Sequence, residues 1–154
     1  MAYIYAVRGW LELSWPDAEV EGVDESPEEH AAKVQRIRAL LTCSLSAEQL
    51  LDPETPAQER YRAGWAFPQD TLQGTEYIFY GADIEEPRIV LEQIREVLSI
   101  DPFADGYFSI EGEDGTQYRQ WIIKSGKIYN RRQLFPDFEA EGPPPGYVLL
   151  SNAS

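Results

Sequence analysis

Residues 104–132 read ADGYFSIEGEDGTQYRQWIIKSGKIYNRR, and this stretch decides the fold. Asp114-Gly115 and Ser125-Gly126 are turn dipeptides that accept positive φ at small cost, and aromatic and β-branched residues flank each of them. The pattern predicts a three-stranded meander. A two-residue loop at Asp114-Gly115 sets Glu113 against Thr116, Ile110 against Arg119 and Phe108 against Trp121. One face then carries Phe108, Ile110, Trp121 and Ile123, and a second tight turn brings Ile128 opposite Ile123 on that same core side. The other face shows Tyr107, Glu111, Tyr118, Gln120, Tyr129 and Arg131, an aromatic and charged mixture that suits water or a partner.

Upstream, residues 3–15 place Tyr3, Tyr5, Val7, Leu11, Leu13 and Trp15 at alternate positions, which predicts a strand. Gly9 falls in the apolar register and marks a bulge or a close neighbouring backbone. Trp10 points the other way, to cover the second face or to serve as a contact. Ser26 as N-cap, Pro27 as first residue and Glu29 as third form a helix start, and Ala31, Val34, Ile37, Leu40 and Leu41 continue at helical spacing. Residues 42–59 read as a connection with at most a turn of helix at Ala47–Leu51. Arg60–Phe67 and Thr75–Ala82 read as strands around the loop Pro68–Gly74. Both alternating sets of the second are apolar, as in a central strand covered on both faces. Val90, Leu91, Ile94, Val97 and Leu98 predict a second helix from about Glu86 to Leu98, which Asp101-Pro102 ends.

The order strand, helix, strand, strand, helix and three strands predicts an α+β fold: a mainly antiparallel sheet with two helices on one face, a ferredoxin-like split βαβ core extended by the C-terminal meander. Residues 1–135 form a single domain and 136–154 a Pro-rich acidic tail.

The composition narrows the chemistry. With 154 residues and 43% hydrophobic content, the chain builds one substantial core. It has neither a long apolar run nor a secretory start, so the expected location is cytoplasmic. One cysteine, Cys43, excludes an internal disulfide; with one histidine, His30, it also excludes multi-ligand zinc sites. His30 and Cys43 read as structural groups, and no cofactor is expected. Triad, phosphate-loop and dinucleotide patterns are lacking, and the abundance of carboxylates makes any chosen acid-base pair unspecific.

Acidic residues number 27 against 13 basic ones, a formal charge of −14. Nucleic acid and anionic membranes are therefore poor partners and a basic macromolecule a better one. Between Gly9 and Ala32 there is no Lys or Arg, whereas Arg119, Lys124, Lys127, Arg131 and Arg132 cluster late in the chain. The acidic clusters at Glu19–Glu29 and Asp83–Glu86 offer oxygen ligands for a divalent cation but lack EF-hand spacing. They are instead expected at one end of the sheet, where both loops lead into helices and together form a negative surface that steers a positively charged protein.

The segments VRGWLEL (7–13), GWAFP (64–68), EYIFYGADI (76–84), GYFSIEGEDG (106–115) and QWIIKSGKIY (120–129), with Gln93-Ile94, resemble a bacterial immunity-protein family encoded beside polymorphic or contact-dependent toxins, the one called immunity protein seven. Trp10, Trp65, Tyr80, Asp83 and Trp121 carry the likeness. The resemblance implies a non-enzymatic inhibitor, a monomer or weak homo-oligomer, that binds a cognate toxin domain, often a basic one that attacks nucleic acid. The expected toxin-binding residues are Asp17, Glu19, Glu21, Asp24, Glu25 and Glu28, with Asp83, Glu85 and Glu86 adjoining. An alternative is a small-molecule binding domain or enzyme with a pocket between sheet and helices, lined by Tyr77, Tyr107 and Trp121. A third reading is an adaptor whose open sheet face pairs with another copy.

Overall fold

Strand β1 (Tyr5–Leu13) lies inside the sheet and is the element every other strand is arranged around. The structure, a computed structural model, describes residues 2–15, 24–68, 76–133, 136–138 and 141–151. After β1 come helices α1 (Pro27–Leu41), α2 (Ala47–Leu51) and α3 (Ala57–Arg60), then a 3-10 turn at Tyr61–Gly64 and strand β2 (Trp65–Ala66). Strand β3 (Glu76–Ile84), helix α4 (Pro87–Ile100) and strands β4 (Asp105–Gly112), β5 (Tyr118–Lys124) and β6 (Lys127–Arg132) follow. Among the described residues the strands form one six-stranded sheet in the order β2-β3-β1-β4-β5-β6, each neighbouring pair antiparallel. The first four positions are the ferredoxin-like order, and β5 and β6 extend it.

The meander follows the register that its turns dictate. Ile110 pairs with Arg119, Phe108 with Trp121 and Ile123 with Ile128. Ser125 and Gly126 adopt φ of 49° and 75°, as a tight hairpin turn requires. A Cβ on Gly126 would also lie 2.0 Å from the Pro102 carbonyl oxygen, so this turn tolerates only glycine. At Gly9 the strand is regular, paired with Tyr80 and Phe108 and free of a bulge. Its missing side chain makes room for the Phe108 ring, 2.5 Å from where a Cβ would stand.

Helix α1 begins as its sequence directs. Ser26 Oγ accepts the Glu29 N–H at 3.1 Å, and Pro27 opens the helix. From α1, Val34, Ile37 and Leu41 are buried; from α4, Ile89, Val90, Ile94, Val97 and Leu98. They form one core with Val7, Leu11, Ile78, Phe108, Ile110 and Ile123, so both helices cover the same face of the sheet. Each such side chain contributes about 1.5–3 kcal/mol through removal of apolar surface from water.

Two expectations are corrected. Of the strand expected at Arg60–Phe67, only Trp65–Ala66 is extended, because the helical turn before it carries Tyr61 into the core. There the Tyr61 hydroxyl accepts the N–H groups of Glu85 and Glu86 at 3.1 and 3.3 Å, and its carbonyl accepts the Tyr80 hydroxyl at 2.8 Å. Strand β3 is not covered on both faces: Ile78, Tyr80 and Ile84 are buried, whereas Phe79, on the other side, is 43% exposed. The expected loop 68–74 lies outside the described residues from position 69 onward.

Candidate functional site

The acidic residues expected to form one surface are divided by the sheet. Leu13, which leads toward the 16–23 segment, pairs with Glu76 at one end of β1, whereas Tyr5 pairs with Ile84 at the other. Asp24 and Glu28 therefore stand near one end of the strand and Asp83, Glu85 and Glu86 near the opposite end, about 26 Å apart for a strand of this length. The antiparallel order causes the separation, since β1 and β3 run in opposite directions and release their helices at opposite ends. Asp17, Glu19 and Glu21 lie outside the described residues. Asp24, Glu28, Asp83, Glu85 and Glu86 are exposed, and Glu86 approaches Arg88 at 3.5 Å.

Glu25 has an internal role. Its Oε1 lies 2.8 Å from His30 Nδ1 and 3.0 Å from Lys33 Nζ, with its side chain only 13% exposed. Lys33 Nζ also donates to the Ser14 carbonyl at 2.5 Å and sits 3.7 Å from Asp101 Oδ1. Asp101, fully buried at the end of α4, accepts the Ser14 N–H at 2.7 Å and the Ser14 hydroxyl. Trp15 stacks on the His30 ring at 4.3 Å. This network ties the end of β1 to the start of α1 and the end of α4, with one cation held between two carboxylates. His30 enters this network through Nδ1, and its buried Nε2 has no hydrogen-bond partner among the described residues. Cys43 is half-buried beside the Glu59 carbonyl, 3.8 Å away.

The second feature is the face of the sheet that, among the described residues, carries no helix. Strand pairing aligns Phe79, Trp10, Tyr107, Ile122 and Tyr129 in one row across β3, β1, β4, β5 and β6. Phe79, Ile122 and Tyr129 are exposed, and Trp10 is half-buried, edge-on to Tyr77 at 5.7 Å. The Glu12 carboxylate accepts a hydrogen bond from the Tyr77 hydroxyl and raises its pKa. Gln120 Nε2 donates to the Tyr107 hydroxyl at 2.8 Å, and partial burial, followed by the hydrogen bond with Tyr118, raises the Tyr107 pKa.

The chain has no match. Comparison with protein-family models, with curated proteins and with solved structures found none. Among the described residues, no group of three or more His, Cys, Asp or Glu side chains is placed to hold a metal ion, and no helix is long and apolar enough to cross a membrane. Nor does one pocket unite Tyr77, Tyr107 and Trp121. Alternation puts the two tyrosines on the helix-free face and the tryptophan on the other, where it borders a groove of about 440 Å³ with Arg119, Asn130, Arg88 and Leu91. The sequence named most of the open-face residues individually. Missed was their alignment into a row, because cross-strand order between β1, β3 and the meander is a property of topology.

Proposed function

We propose that this chain is an immunity protein, a binding protein acting in the cytoplasm that occupies a positively charged cognate toxin domain and keeps it from its substrate. The observation that carries this reading is the charge: −14 in 154 residues, with Asp24, Glu28, Asp83, Glu85 and Glu86 exposed. Such a charge speeds encounter with a basic protein, and this steering depends on the summed field and does not need all the carboxylates on one rim. Steering alone attracts many basic partners, so specificity falls to desolvated anchors within the contact. The resemblance of the strand segments to immunity proteins supports the choice of a toxin as that partner.

Co-expression with the product of the adjacent reading frame tests the proposal. Growth is expected to be arrested by that product alone and restored by this chain, with a stable complex recovered. A harmless product, or toxicity that persists despite complex formation, overturns it. Replacing Asp17, Glu19, Glu21 and Asp24 by Gln is expected to slow association about tenfold at low salt and to flatten its salt dependence. Glu25 is left in place because its carboxylate supports the fold.

A further inference from the structure

We infer that the helix-free sheet face is a self-complementary surface that pairs with a second copy of this chain. Two adjacent rows carry the argument. The apolar row Phe79, Trp10, Tyr107, Ile122 and Tyr129 crosses five strands, and its exposed members Phe79, Ile122 and Tyr129 are 43%, 43% and 56% accessible. The row beside it runs Glu12, Asp105, Lys124 and Lys127 across β1, β4, β5 and β6, acids on one half and bases on the other.

A two-fold axis lying in the plane of the face, parallel to the strands and between β4 and β5, lays each row over its own reverse. Trp10 then meets Tyr129 of the second copy, Tyr107 meets Ile122, and Glu12 meets Lys127, each contact occurring twice as an isologous interface requires. Sheets packed face to face keep their strands within about 30° of each other at a spacing of about 10 Å, which is compatible with this pairing.

The charge of −14 opposes association in general, but the charged row that meets its own reverse is balanced, Glu12 and Asp105 against Lys124 and Lys127. Elsewhere on the face Asp83 and Glu111 accompany Arg8 and Arg131, and Asp137 and Glu141 of the C-terminal segment line the cleft beside Gln120 and Arg131. Salt screens charges away from the contact, with a decay length of about 8 Å at physiological ionic strength. The C-terminal segment limits the contact. Residues 141–145 and Tyr147 line, together with Gln120 and Arg131, a cleft of about 710 Å³, and Tyr147 also comes close to Tyr107, while Ile122 and Tyr129 stay open. The overlap spans β1, β4, β5 and β6, with Phe79 on β3 beyond it, and covers roughly 19 by 14 Å, on the order of 500 Å² for both copies, small enough for a transient contact only. The dimer is therefore weak and forms with rising concentration.

Sedimentation velocity on the full chain, from low to high micromolar concentration at about 0.15 M salt, tests the inference. The wild type is expected to shift toward a dimer, and I122E to remain monomeric with an unchanged melting temperature. E12K and K127E are each expected to weaken association about tenfold. Mixed in equal amounts they regain it, because the heterodimer pairs Lys with Glu at both contacts. A wild type that stays monomeric at the highest concentration, or a mixture no more associated than its components, overturns the inference. Should E12K fail to fold, K127E and I122E against the wild type carry the same test. Neutralisation of a toxin does not enter any of these readouts, so this inference and the proposed function stand or fall separately.

Discussion

Strand β1 gives Val7, Leu11 and Leu13 to the helix-covered face of the sheet and Arg8, Trp10 and Glu12 to the open one, and only the first set is buried. Strand β5 repeats the division, with Trp121 and Ile123 inside and Ile122 and Lys124 exposed. Apolar residues occupy both faces, so composition alone does not separate them. What differs is company: α1 and α4 remove one set from water, while the other, with rings and charges side by side, is left to an external surface. The buried apolar surface is concentrated on the first face, and the second stays open to solvent.

That division can be broken by substitution. Phe108→Ala on the covered face is expected to cost about 3–5 kcal/mol in urea unfolding, whereas Ile122→Ala on the open face costs about 0.5 kcal/mol or less. Similar losses at both sites would erase the contrast. Next in size, Lys33→Ala leaves Glu25 and the buried Asp101 without their shared cation and is expected to cost about 3 kcal/mol. A loss under about 1 kcal/mol would mean that this network does not hold the end of the covered layer.

The smallest effect sharpens the comparison at the rim. The Tyr3 hydroxyl donates to Asp114, which holds the Asp114 carboxyl below its ordinary range and raises the Tyr3 pKa. The wild-type advantage over Asp114→Asn is therefore full at neutral pH and fades as acid takes the solution through the depressed Asp114 pKa. Against Tyr3→Phe the sign reverses: the advantage is full below the ordinary tyrosine pKa and fades as pH rises through the raised one. Melting temperatures measured across acid and alkaline series check both, and a pH-independent difference would refute the linkage.

Local chemistry made much of this legible. The turn dipeptides set the meander register, alternation assigned Phe108, Ile110, Trp121 and Ile123 to the core, and Ser26-Pro27 placed the start of α1. Alternation does not say what lies above a face. Tyr77 and Phe79 read as covered because they are apolar, although no helix lies over them. Periodicity likewise fixes the side of a strand but not its direction, so the two acidic loops seemed to share an end. The antiparallel order of β1 and β3 within a split βαβ plan was the available signal. Glu25, His30 and Lys33 are close in sequence, but Asp101 joins them from the far end of α4 and left no local trace.

The central placement of the first strand has a consequence for synthesis. Residues 5–13 are made well before their neighbours on the two sides, 76–84 and 105–112. At roughly 5–20 residues per second, the nascent segment waits on the order of ten seconds before both hydrogen-bonding flanks exist. Closing these distant pairings requires long loops to be brought together, which slows formation of the sheet. An apolar strand held open that long is exposed to wrong pairings until its own partners are made.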